Sequence, residues 1–198
     1  MFWGLISVII GYLLGSINSA VLISKVFYKQ DIRTMGSGNA GTTNMLRSLG
    51  KKAAAFTFLG DFLKGIIASL IGLLLYKEVG LVLAGGAAVV GHNWPVYFGF
   101  KGGKGVLTSF SVLLVASPTA ALIALLSFII IVAITRYVSL GSIIAAIVVV
   151  VATYFIKNGL TPTFYLTIFV AILVVLRHHS NIKRLIQGKE SKLGQKSK

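Results

Sequence analysis

Fifteen residues, Gly36 to Gly50, read GSGNAGTTNMLRSLG and concentrate groups that suit an anion. Glycine allows left-handed backbone and close approach to a ligand, and successive exposed N–H groups in such a turn form an anion-binding concavity. Ser37, Gly38, Asn39, Thr43 and Asn44 supply donors, and Arg47 supplies a planar fork for phosphate or carboxylate. An ordinary polar loop between helices has the same composition, so the rest of the chain must decide.

A second stretch, Gly91 to Gly105, reads GHNWPVYFGFKGGKG. It is not a P-loop, because that pattern needs Ser or Thr after the lysine and Lys104 is followed by Gly105. The physics still holds: Gly102, Gly103 and a lysine at the start of a helix attract phosphate. His92 alone reads as a packing histidine. Ser142, two residues before Ile144 in SLGSII, reads as a helix-start serine, commonly a cap. Arg177, His178 and Asn181 form a further group in RHHSN, where Arg177 alone is an ordinary interfacial anchor. Asp61 and Lys64 are three apart and share a helix face. They either neutralise each other or orient cations around a ligand.

These groups must be placed by membrane helices. Hydrophobic residues make up 56% of the 198, charged residues 12%, and mean hydropathy is +0.91, against about 25% charge in a soluble domain. The expected fold is an all-α integral membrane protein of seven spans: 2–24, 53–76, 79–98, 105–117, 118–135, 137–156 and 161–176. Pro95 should break the third. Residues 1–187 read as one membrane-embedded domain and 188–198 as a disordered polar tail. Ile182, Leu185 and Ile186 recur at helical spacing among basic residues, as in a helix lying on a membrane surface.

Net charge is +15, and the basic residues cluster in the loops 25–52 and 101–104, at Arg136 and in the tail from Arg177, with Lys77 and Lys157 left for the other side. The positive-inside rule then puts the N-terminus outside and the C-terminus in the cytoplasm. Basic residues scattered over short loops of a hydrophobic bundle argue against nucleic acid. Anionic headgroups and phosphorylated small molecules fit better. The chain has no cysteine and only four acids, Asp31, Asp61, Glu78 and Glu190. That excludes thiolate chemistry, and no pair of acids is placed to hold a metal.

Five pieces, GSGNAGTTNMLRSLG, GDFLKG, GHNWPVYFGFKGGKGV, SLGSIIAA and RHHSNIKRLIQGKE, resemble in order the bacterial acyl-phosphate:glycerol 3-phosphate acyltransferases, the PlsY family. Thr42, His179 and Lys189 differ from that family's usual residues, and no site role is expected for the first two or for the Lys189–Glu190 turn. The resemblance implies a multi-pass bacterial inner-membrane enzyme with its active site facing the cytoplasm. It would transfer a fatty acyl group from acyl phosphate to the 1-hydroxyl of glycerol 3-phosphate, giving lysophosphatidic acid and phosphate, the first step of phospholipid synthesis. It implies no cofactor, no metal and no obligate protein partner, with membrane lipids as surroundings.

On that reading Lys104, Ser142 and His178 are the catalytic residues. Ser37, Gly38, Asn39, Thr43, Asn44, Arg47, His92, Gly102, Gly103, Arg177 and Asn181 bind substrate, and Asp61 and Lys64 support the site. An acyl phosphate is a mixed anhydride with a good leaving group, so no protein nucleophile is needed. The hydroxyl proton goes either to a substrate phosphate oxygen or to His178. The HxxxxD signature of soluble glycerol-phosphate acyltransferases is missing, since Tyr97 stands five after His92. A phosphate transporter and a noncatalytic headgroup receptor are the rival readings. The first predicts paired repeats and a midplane site, and the second leaves the density of donors unexplained.

Overall fold

The computed structural model describes residues 1–195 and is helical throughout, with no strand among them. Two compact units divide the chain, Met1–Val112 and Leu113–Gln195.

The N-terminal unit opens with α1 (Phe2–Ser16) and α2 (Ser19–Tyr28). One continuous span over 2–24 was expected. Instead the helix breaks at Ile17 and Asn18, both extended, and the Asn18 side chain accepts the Val21 N–H at 3.1 Å to start α2. The break releases the Ile17 carbonyl from helical bonding, and Lys64 uses it. A short 3-10 turn at Ile32–Thr34 leads to α3 (Thr42–Leu49).

Next comes α4 (Lys51–Asn93), interrupted by non-helical backbone at Tyr76 and Lys77. There the chain folds back on itself: a Cβ on Gly72 would lie 2.6 Å from the Ala84 Cβ and 2.7 Å from the Gly80 carbonyl carbon. In a continuous helix Gly72 and Ala84 would be about 18 Å apart. The returning arm packs on α1 through small residues, since a Cβ on Gly11 or Gly15 would sit within 2.7 Å of the Ala84 or Ala88 Cα. Such close backbone approach is how helices associate where lipid removes the hydrophobic drive. The arm ends at Asn93, a 3-10 turn covers Val96–Phe98, and α5 (Val106–Ala116) begins after Gly105. The expected run to residue 98 therefore stops five residues early, ahead of Pro95. At 11 residues α5 is only about 16 Å long, about half a bilayer core.

The C-terminal unit holds α6 (Pro118–Thr135), α7 (Val138–Ile156), α8 (Pro162–Arg177) and α9 (His179–Ile186). Pro at N1 starts α6 and α8, and Thr161 caps α8 by accepting the Phe164 N–H. Between α8 and α9 the chain bends by 56°. Beyond α9 the structure differs from a free tail. The Leu193 N–H donates to the Arg136 carbonyl, the Arg136 guanidinium returns a bond to the Leu193 carbonyl, and Lys192 lies over the Tyr137 ring. Residues 196–198 of the expected tail lie outside the described residues.

Among the described residues four helical stretches are long and apolar enough to cross a membrane, Phe2–Tyr28, Lys51–Phe98, Pro118–Thr135 and Val138–Ile156, or five with the bent α8–α9 pair. Large apolar side chains face outward along them, Leu74, Ile134 and Phe155 among the most exposed. In water these would be an aggregation surface.

Candidate active site

In the N-terminal unit the glycine-rich segment is held from within. Gly36 and Gly38 take left-handed φ values of +53° and +70°, which glycine accepts without penalty. Buried Asn44 accepts the Ser37 N–H and donates to the Ile32 and Met35 carbonyls. Its amide therefore shapes the loop, whereas the sequence suggested a direct contact to substrate. Ser37 and Gly38 are exposed at the turn, while Asn39, Thr43 and Arg47 are half-buried.

Arg33 connects this segment to the second one. Its Nε and Nη2 bind Asp31 at 2.9 and 2.7 Å, and Nη1 donates to the Phe98 carbonyl at 2.8 Å and the Lys101 carbonyl at 3.4 Å. The Arg33 hydrogen bonds hold the Asp31 carboxyl well below the usual carboxylate range. Lys25 adds an ion pair to Asp31 at 3.3 Å. A planar guanidinium binds the Asp31 carboxylate bidentately through Nε and Nη2 and still points Nη1 at two loop carbonyls, a fixed geometry that a lysine ammonium does not preset.

The second segment turns back on the end of α4. The Gly102 and Gly103 N–H groups donate to the Asn93 and His92 carbonyls, and half-buried Lys104 follows directly. Gly105, at φ +75°, leads into α5. Beneath the turn lie Asp61, Lys64 and His92, each at most 6% exposed. Lys64 Nζ is 2.8 Å from Asp61 Oδ1 and 2.9 Å from His92 Nδ1. The pair Asp61–Lys64 thus forms, and it reaches His92 as well.

In the C-terminal unit, Glu190 collects three donors. Its Oε1 accepts from Ser139 Oγ and Asn181 Nδ2, at 2.7 and 2.6 Å, and its Oε2 accepts from Arg184 Nε at 2.7 Å. Burial raises the Glu190 carboxyl, but these bonds outweigh it and the pKa falls below the ordinary value. Sequence reasoning gave this glutamate no role.

Ser142 lies one turn beyond Ser139 and donates to the Val138 carbonyl. His178, buried at the α8–α9 bend, donates from Nδ1 to the Val174 carbonyl at 2.7 Å, so in the neutral ring Nε2 carries no proton. Arg177 is half-buried beside it. His179 is exposed and bonds the Leu176 carbonyl.

The arrangement gathers backbone and side-chain donors, with no cluster of three potential metal ligands among the described residues. A family model described as glycerol-3-phosphate acyltransferase matches residues 5–188. The chain belongs to the glycerol-3-phosphate acyltransferase family. It is 48% identical over 195 residues to the glycerol-3-phosphate acyltransferase of Thermoanaerobacter pseudethanolicus, covering 98% of both chains. The Clostridioides difficile enzyme of that name is 46% identical over 198 residues, with 97% of this chain and 96% of that one covered. A crystal structure of PlsY (YgiH), an integral membrane glycerol 3-phosphate acyltransferase, in its glycerol 3-phosphate form superposes with a TM-score of 0.90 at 42% identity, covering 96% of each chain. The lysophosphatidic acid form gives 0.86 at 41%, covering 96% of this chain and 95% of that one. This member of the glycerol-3-phosphate acyltransferase family is thus a membrane-embedded acyltransferase of the PlsY type.

Proposed function

We propose that the chain transfers a fatty acyl group from acyl phosphate to the 1-hydroxyl of glycerol 3-phosphate, releasing lysophosphatidic acid and inorganic phosphate. The carrying observation is the pair of anion-ready segments in the N-terminal unit, tied together by Arg33, with Lys104 at the mouth of α5. The crystallised relatives, in glycerol 3-phosphate and lysophosphatidic acid forms, supply acceptor and product of the same reaction.

In this reading the side chains of Ser37, Asn39, Thr43, Arg47 and Lys104 receive phosphate, while Gly38, Gly102 and Gly103, whose N–H groups donate to the Met35, Asn93 and His92 carbonyls, shape with Asn44 the loops that carry them. Lys104 neutralises charge growing on the departing phosphate. Ser142, Arg177, His178 and Asn181 serve glycerol 3-phosphate. The hydroxyl oxygen attacks the acyl carbon, a C–O bond forms, the bond to the phosphate oxygen breaks, and the hydroxyl proton passes to a substrate phosphate oxygen. The His178 tautomer favours a second reading, in which Nε2 takes that proton. A His178→Asn variant decides: kcat within about tenfold of wild type supports the substrate as base, and a loss of about 100-fold or more assigns it to His178.

Residues 1–187 act as one acyltransferase domain, crossing the bacterial inner membrane seven times with the N-terminus outside and the basic loops in the cytoplasm. The reversal at Tyr76–Lys77 and the clustering of basic residues support this arrangement. No cofactor and no protein partner enters the reading. The test is donor choice: purified protein should make lysophosphatidic acid from palmitoyl phosphate and none from palmitoyl-CoA. The reverse preference would overturn the acyl-phosphate reading.

A further inference from the structure

Lys64 has three neighbours in reach of its ammonium: Asp61 Oδ1 at 2.8 Å, the Ile17 carbonyl at 2.9 Å and His92 Nδ1 at 2.9 Å. An ammonium has three donors and no acceptor, so all three protons are engaged, and His92 Nδ1 must accept. The opposite pairing, imidazolium to Asp61, is not made, because Nδ1 lies 3.6 Å from Oδ1, beyond a hydrogen bond. With Nδ1 accepting, the ring proton sits on Nε2.

The Nε2 edge faces one narrow place. A Cβ on Gly103 would collide with His92 Nε2, and it would lie 2.5 Å from the Ala40 carbonyl oxygen. Ala40 belongs to the first glycine-rich segment and Gly103 to the second, so His92 stands where the two meet. Both it and Ala40 are buried. The break between α1 and α2 takes part too, because it supplies the Ile17 carbonyl that takes the third ammonium proton.

We infer that Asp61 and Lys64 fix His92 as a neutral imidazole with its proton on Nε2, a donor that holds the Ala40 and Gly103 segments together. His92 is then a positioning residue that cannot act as a base. The tautomer follows from geometry alone, whereas the kinetic consequence rests on reading these segments as the acyl-phosphate site.

The experiment is ¹⁵N-edited NMR of histidine-labelled protein in micelles, with the His92 ring signals identified by their loss in His92→Gln. The expected result is a protonated Nε2 and a bare Nδ1. In an Asp61→Asn/Lys64→Met double variant, which removes both charges together, the proton should distribute over both nitrogens. A wild-type proton on Nδ1, or on both nitrogens, overturns the assignment, whether or not the variants fold and whatever donor the enzyme uses.

The kinetic arm compares His92→Gln, whose amide can place an N–H where Nε2 was, with His92→Leu. His92→Gln should keep the KM for palmitoyl phosphate within about threefold, and His92→Leu should raise it about tenfold with kcat little changed. Equal losses of kcat in both variants would instead give the ring a proton-transfer role and overturn the positioning assignment.

Discussion

Two buried histidines, His92 in the N-terminal unit and His178 in the C-terminal unit, are 4% and 2% exposed and carry opposite tautomers. His92 Nδ1 faces an ammonium, which can only donate, while His178 Nδ1 faces a carbonyl, which can only accept. The partner at Nδ1 thereby decides what Nε2 can do: a fixed donor in one unit, a lone pair in the other. Burial and residue type are the same, so neither could have distinguished them. The difference comes from a broken helix that exposes the Ile17 carbonyl and a lysine three residues after an aspartate, against a bend between α8 and α9.

The largest expected effect breaks the His92 side. Gly103→Ala places a methyl against His92 and the Ala40 carbonyl, neither of which can retreat without parting the two glycine-rich segments. Activity should fall about 100-fold or more, and thermal unfolding measured alongside should show a folded protein of lower Tm. On the His178 side the frame is Glu190. Glu190→Ala leaves Ser139, Asn181 and Arg184 without their acceptor and should cost about 2–4 kcal/mol, read as a drop in thermal stability.

The Glu190 carboxylate also predicts a pH dependence. Its folded pKa lies below the ordinary value of 4.5, so its contribution is present above that range and is lost as pH falls through the folded pKa. Thermal stability followed from pH 6 downward should fall below about 4.5 in the wild type, and part of that slope should vanish in Glu190→Gln.

A smaller effect sharpens the comparison. Arg33→Lys keeps the charge but loses the fork that holds the Phe98 and Lys101 carbonyls. It should raise the KM for acyl phosphate about tenfold, with kcat less affected. Lys25→Ala should do least. Half of the Lys25 side chain is exposed, and an exposed ion pair contributes about 0–1 kcal/mol, so turnover and Tm should stay near wild type.

Much of the site could be read from the sequence because its residues sit in short contiguous runs. The glycine-rich segments, Lys104 and the Asp61–Lys64 spacing are local patterns, and the stop before Pro95 follows from proline chemistry. The break at Ile17–Asn18 was not readable, because it contains no proline, and the polar residues Ser16, Asn18 and Ser19 around it pass for ordinary helix–helix hydrogen bonding near the end of a span. Glu190 was hidden for another reason. Its partners stand 51, 9 and 6 residues away, and only the fold brings them together. The tautomers of His92 and His178 were equally out of reach, since each depends on a single atom four or more residues distant.

The central claim is direct transfer from acyl phosphate to glycerol 3-phosphate with no acyl-enzyme. Rapid mixing of the purified protein with palmitoyl phosphate alone tests it most directly. The account predicts no phosphate release until glycerol 3-phosphate is added, and then one phosphate for each lysophosphatidic acid formed. A burst of phosphate equal to the protein concentration without glycerol 3-phosphate would contradict it.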